Sequence, residues 1–194
     1  MPILGIINQK GGVGKTTTAI NLAAALAGLR RTLLIDMDPQ ANASSGVGAE
    51  AATATVYEML IGDASARAVT RATSTPNLFV IPASADLAGA AMEFNASSEH
   101  MHLLDKALIG VRPNYEFIVL DAPPTLGALT LNALAAADQL VIPLQTEYYA
   151  LEGIAGMLET VERVRASLNP KLAILGILLT MFDARTRLSQ EVED

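Results

Sequence analysis

The chain has 194 residues, 51% hydrophobic, 17% charged and 4% aromatic, with no Cys and no Trp. That is enough apolar material for one buried core and too much for a disordered chain, and the missing thiols remove disulfides, thiolate zinc sites and cysteine-held iron–sulfur clusters together. A net charge of −7 excludes a surface that attracts DNA or anionic lipid everywhere, so nucleic-acid binding has to be local or assembled by oligomerisation.

In chain order, apolar runs of strand length alternate with segments of helical period. Residues 2–7 (PILGII) read as the first strand; with no positive run before them and an apolar stretch that stops at Asn8, they suit neither a signal peptide nor a membrane span, and a cytoplasmic protein is expected. A glycine-dense turn follows, then a helix over Thr16–Leu29. Further strands are predicted at 32–35, 78–81, 116–120, 139–144 and 172–179. Helices are predicted at Val56–Ile61, Asp86–Met92, Met101–Ile109, Ala128–Ala136 and Leu151–Ser167. This alternation predicts an α/β fold, a three-layer sandwich with a mostly parallel central sheet and right-handed crossovers.

The small-residue stretch 41–56 resists the pattern and reads as a surface loop or as the moving part of a nucleotide switch. With no repeat or linker, residues 1–194 form a single domain. The last residues, 188–194, open a helical pattern with no stop signal, so the domain is expected to lack C-terminal elements. His100 and His102 have no metal-ligand spacing and read as helix-surface residues.

The turn after the first strand is Lys10-Gly11-Gly12-Val13-Gly14-Lys15-Thr16. Glycines between a strand and a helix let successive backbone N–H groups point inward and approach phosphate oxygens, and the helix adds its unpaired N–H groups and the positive end of its dipole. Lys15 supplies a point charge for the β- and γ-phosphates, and the Thr16 hydroxyl can complete the octahedral shell of Mg²⁺. The common pattern G-x-x-x-x-G-K-[ST] fails because Gln9 stands five positions before Gly14; the match is to a variant with an extra lysine, Lys10. Lys10 is either a solvated loop residue or a charge that neutralises the leaving oxygen, within its own subunit or across a dimer face.

Two strand ends deliver carboxylates to the same rim. Asp38, two residues beyond Asp36, can orient or deprotonate an attacking water or hold it through Mg²⁺, while Asp36 reads as a loop cap. Asp121 ends the run Phe117-Ile118-Val119-Leu120 and precedes Pro123-Pro124, the Walker B arrangement that points one carboxylate toward a metal.

Five separated segments in order carry a resemblance. Residues 8–17 (NQKGGVGKTT), 36–40 (DMDPQ), 121–124 (DAPP), 147–153 (EYYALEG) and 180–186 (TMFDART) resemble the ParA/Soj chromosome-partitioning ATPases, P-loop NTPases of the deviant Walker A type. The resemblance implies binding of ATP and Mg²⁺, an ATP-dependent homodimer that sandwiches the nucleotides, and weak hydrolysis without a partner. It also implies non-specific binding of double-stranded DNA at the nucleoid, release by a ParB/Spo0J-like centromere-binding protein, and no membrane partner. By the same resemblance Lys10 is the signature lysine, Asp38 the hydrolytic residue, and Thr17, Glu147 and Met181 border the nucleotide. Arg185 is the DNA-binding arginine, with Arg187 two positions on, and Tyr148 and Tyr149 are packing residues.

Competing readings are a MinD-like membrane-associated ATPase, for which no basic amphipathic stretch is visible, and an ATP-dependent metabolic enzyme on the same scaffold. A non-catalytic binding module is a third reading, against which Asp38 argues. A GTPase is disfavoured because no [NT]-K-x-D segment follows the later strands.

Overall fold

The computed structural model describes residues 2–49, 54–94, 98–147, 150–185 and 192. Seven strands form one sheet: β1 (Ile3–Ile6), β2 (Thr32–Asp36), β3 (Arg71–Ala72), β4 (Leu78–Ile81), β5 (Phe117–Asp121), β6 (Gln139–Gln145) and β7 (Ala173–Thr180). Their spatial order is β3-β4-β2-β5-β1-β6-β7. Every pairing is parallel except β3 with β4, where Arg71 lies opposite Val80 and Ala72 opposite Phe79. The helices are α1 (Lys15–Ala27), α2 (Asn42–Gly46), α3 (Val56–Ile61), α4 (Ala66–Val69), α5 (Leu87–Phe94), α6 (Leu103–Leu108), α7 (Ala128–Ala136) and α8 (Ala150–Ser167).

The sheet separates two cores because successive side chains of a strand point to opposite faces. Ile3, Leu33, Ile35, Ile118, Leu120, Leu140 and Ile142 face the larger core, which α3 and α5 to α8 cover. Ile6, Leu34, Val80 and Val119 face the smaller one, against Ala19, Ala23 and Ala27 of α1. Alanine every fourth residue puts a strip without bulk along one side of α1, so its backbone can lie close on β2 and β5. That placement is what carries the turn before α1 over the carboxyl ends of the central strands.

The six predicted strands and six predicted helices are all present, with ends displaced by one or two residues. Three short elements went unread: α2, α4 and the antiparallel edge strand β3. Part of the stretch 41–56 is therefore helix rather than loop, and its residues 50–53 lie outside the described set, as do Tyr148, Tyr149, Arg187 and most of 188–194. His100 corrects a second expectation. His100 lies in a 3₁₀ turn (Ser98–His102), its ring edge-on to Phe94 with centroids 5.6 Å apart and its Nδ1 buried without a partner. Asn132, fully buried on α7, donates to the His100 carbonyl at 2.7 Å and thereby binds this turn into the core. Among the described residues no helix is long and apolar enough to cross a membrane.

Candidate functional site

The turn between β1 and α1 is fastened at three places before any ligand is considered. Asn8, almost fully buried, donates from Nδ2 to the Pro143 carbonyl of β6 at 2.7 Å and accepts the Lys10 amide at 3.0 Å. Gln9 donates to the Thr160 hydroxyl of α8 at 2.9 Å, and the Thr180 hydroxyl at the end of β7 donates to the Val13 carbonyl at 3.0 Å. Gly12 and Gly14 then adopt φ of 78° and 84°, left-handed values that a side chain would oppose, and Gly14 caps α1 in that conformation. The Val13 side chain points into the protein, so the loop offers its backbone outward.

A cleft of about 410 Å³ opens over this loop, lined by Gly11, Gly12, Gly14, Lys15, Thr16, Thr17, Asp38, Gln40, Asn42, Pro124 and Met181. Lys15 is 7% exposed and its ammonium donates to the Lys10 carbonyl at 2.8 Å. Burial holds that ammonium below its ordinary pKa, against the pull of the Asp121 and Asp38 carboxylates. Two non-glycine residues at the cleft take left-handed backbone, Ala41 (φ 53°) between the lining residues Gln40 and Asn42, and Met181 (φ 53°) itself. Strain of this kind persists only where surrounding structure enforces it, and here both instances border one cavity.

The three aspartates have different surroundings. Asp36 is fully buried and its carboxylate accepts the Ser44 amide at 2.8 Å, the Ser44 hydroxyl at 2.7 Å and the Asp38 amide at 3.1 Å. Burial still raises its pKa, opposed by those hydrogen bonds. Ser44 in turn accepts the Ala83 amide at 2.9 Å, so one side-chain pair joins β2, α2 and the end of β4. Asp38 holds the Gln40 amide at 2.9 Å and keeps part of its carboxylate in the cleft.

Asp121 is fully buried and neither oxygen closes a hydrogen bond. Burial pushes it up to about 7; the Thr16 hydroxyl and Lys15 pull it back, and Asp36 and Asp38 add to the rise. A buried carboxylate that closes no hydrogen bond, with the Thr16 hydroxyl beside it, is costly as it stands and suited to a cation or the water bound to one. Among the described residues no three His, Asp or Glu side chains gather as a metal cluster. A hard divalent ion held by Thr16 and reached from Asp121 would therefore draw the rest of its shell from phosphate and water, as Mg²⁺ commonly does.

The remaining predicted residues divide. Thr17 and Met181 line the cleft. Lys10 and Glu147 do not: their side chains form an ion pair with each other at its border. Arg185 lies on the surface with 89% of its side chain exposed, and two of its nitrogens bond the Asp183 carboxylate, at 2.7 and 2.9 Å. Sequence reasoning missed Asn8, Ser44, Asn42 and Thr180. Asn8 and Thr180 lie within the segments that carry the resemblance, a signal that could have been used; Ser44 carried none.

A lysine-bearing glycine loop between the first strand and helix, over the carboxyl ends of a parallel sheet and beside a buried strand-end aspartate, is the arrangement of P-loop NTPases. A family model described as an AAA domain matches residues 1–174. The chain is 54% identical over 191 residues to the chromosome-partitioning ATPase Soj of Treponema pallidum, covering 97% of this chain and 75% of that one. It is 51% identical to the sporulation initiation inhibitor protein Soj of Bacillus subtilis, covering 98% and 76%. Among solved structures, cobyrinic acid a,c-diamide synthase from Mycobacterium smegmatis with bound ADP and magnesium superposes with a TM-score of 0.94 at 37% identity, over 100% of this chain and 80% of that one. The chain belongs to the Soj/ParA family of chromosome-partitioning ATPases.

Proposed function

We propose that this protein is an ATP-switched partitioning ATPase that closes into a homodimer with ATP and Mg²⁺, binds DNA without sequence preference in that state, and is released when a ParB-type partner stimulates hydrolysis. The observation that carries the nucleotide part is the buried Asp121, which closes no hydrogen bond and has Thr16 and Lys15 beside it beneath the glycine loop. Backbone N–H groups of Gly11 to Thr16 and the Lys15 ammonium hold the β- and γ-phosphates. Thr16 and Asp121 fix the metal's position, and Asp38 orients the attacking water. Bound Mg²⁺ neutralises charge on the phosphate oxygens.

Lys10 has the switching role in this reading. Its pairing with Glu147 holds the ammonium at the border of the cleft, and exchange of that carboxylate for a phosphate, its own or a second subunit's, couples nucleotide to dimer closure. Arg185 contacts DNA phosphate. Its bond to Asp183 has to open or be shared, and a two-fold axis would double so small a basic patch.

Size-exclusion chromatography of wild type and Asp38→Ala with ADP or ATP, with and without DNA, tests the scheme. The variant should form an ATP-dependent dimer that persists and retains DNA. A variant that hydrolyses ATP as fast as wild type contradicts the role of Asp38. Arg185→Glu should lose DNA retention while keeping its turnover in the absence of DNA.

The close superposition on the diamide synthase favours a second reading, an ATP-dependent ligase. It predicts turnover that depends on a small carboxylic acid and ignores DNA. Identity above half to a partitioning ATPase over nearly the whole chain places partitioning first.

A further inference from the structure

A second cavity, of about 390 Å³, lies at the opposite end of the sheet, lined by Arg31, Arg67, Thr70, Phe79, Val111, Asn114 and Tyr115. Arg31 stands immediately before β2 and Tyr115 two residues before β5, so the cavity is at the amino ends of the strands that end at the phosphate cleft. The Arg31 guanidinium lies 4.4 Å from the centroid of Phe79 and 5.5 Å from that of Tyr115, whose rings meet edge-on at 5.6 Å. Stacking fixes the plane of the guanidinium and leaves its N–H edge uncommitted. Among the described residues neither Arg31 nor Arg67 makes a side-chain hydrogen bond or an ion pair, whereas Arg112, Arg165 and Arg185 each pair with a carboxylate. Two unpaired guanidinium groups that converge on one hollow of a chain with net charge −7 repel each other and attract an anion. Thr70 and Asn114 add a hydroxyl and an amide to the same wall.

We propose that this pocket binds a phosphate group, with Arg31 and Arg67 gripping its oxygens in the forked, charge-assisted manner that guanidinium favours. The phosphate can arrive on a small molecule or as part of a DNA backbone, and the same two arginines would hold either. The pocket is separate from the glycine loop, and its binding does not depend on the partitioning reading.

The test is calorimetric titration of inorganic phosphate into the full chain with its glycine loop saturated by ADP and Mg²⁺, for wild type, Arg67→Gln and Arg31→Lys. Wild type should show saturable binding, weakened about ten-fold or more in Arg67→Gln. Arg67 is exposed on the four-residue α4, so its loss should leave the thermal midpoint and DNA-free ATP turnover unchanged. Arg31→Lys keeps the charge but gives up the fork, and should fall between the two. The absence of saturable binding in wild type, or equal binding by Arg67→Gln, overturns the proposal. Retention of the Arg67→Glu variant on duplex DNA separates the two sources: reduced retention identifies backbone phosphate, and unchanged retention with phosphate binding lost identifies a small phosphorylated ligand.

Discussion

β5 and β7 are both apolar strands of one parallel sheet, and they have opposite fates. Ile118, Val119 and Leu120 of β5 are 0% exposed, closed in by α1 on one face and by α7 and its neighbours on the other. On β7, Leu175, Ile177 and Leu178 are 56%, 48% and 42% exposed, and because the adjacent Ile177 and Leu178 point to opposite faces, both faces carry open apolar surface. Hydrophobicity in a strand therefore states how much cover the strand is built for, and its neighbours decide how much it has. Beyond β7 the turn continues the exposure, with Met181 at 63% and Phe182 at 40%.

The difference can be broken most directly at Ile118. Ile118→Ala should cost about 3–4 kcal/mol in urea unfolding, since a fully enclosed site cannot collapse over the cavity. A loss as small as that of an outer-strand substitution would mean that the centre is not the stable half. Ser44→Ala comes next, at about 2 kcal/mol by the same measurement, because the Ala83 amide loses its acceptor and Asp36 loses a donor in a buried place.

Asp121→Asn should act in the opposite direction when nucleotide and Mg²⁺ are withheld. Its pKa is raised from 3.8 to about 7, so the carboxyl's contribution to stability is complete below pH ~4 and lost as pH rises through ~7. The variant should therefore melt higher than wild type at pH 8, by a margin of order 1–2 kcal/mol that shrinks toward pH 5, while binding Mg²⁺–ATP more weakly. A lower melting temperature at pH 8 would show that Asp121 has donors after all. Thr55→Ala should cost about 1 kcal/mol, because Thr55 accepts the Tyr57 amide at 3.2 Å and gives its own to Glu58 at 2.7 Å in the capping box of α3. Ile177→Thr on β7 should change stability by less than about 0.5 kcal/mol and reduce association at high concentration, read by light scattering. A penalty like that of Ile118→Ala would mean β7 is covered after all.

The sequence made the central sheet legible because buried parallel strands are continuous apolar runs, and each run here ends where polar residues take over: Asn8 after β1, Asp36 in β2, Asp121 in β5. The same ends announced the cleft, since parallel strands put their carboxyl termini on one rim. α2 escaped notice because Asn-Ala-Ser-Ser-Gly has no apolar period; tertiary bonds from Ser44 to Asp36 and Ala83 hold it. β3 is two residues long, too short for alternation to register. The pairing of Lys10 with Glu147 and of Gln9 with Thr160 joins positions more than a hundred residues apart, and no local pattern encodes such partners. The arginine pocket escaped for the same reason, as its lining comes from four separated segments.

The hydroxyl of Thr180 grips the Val13 carbonyl, and the next residues are the left-handed Met181 at the cleft and the Asp183–Arg185 pair at the surface. The fastening of the loop and the surface pair thus lie within five residues of each other on one stretch of chain, directly after a strand whose apolar side chains are about half exposed.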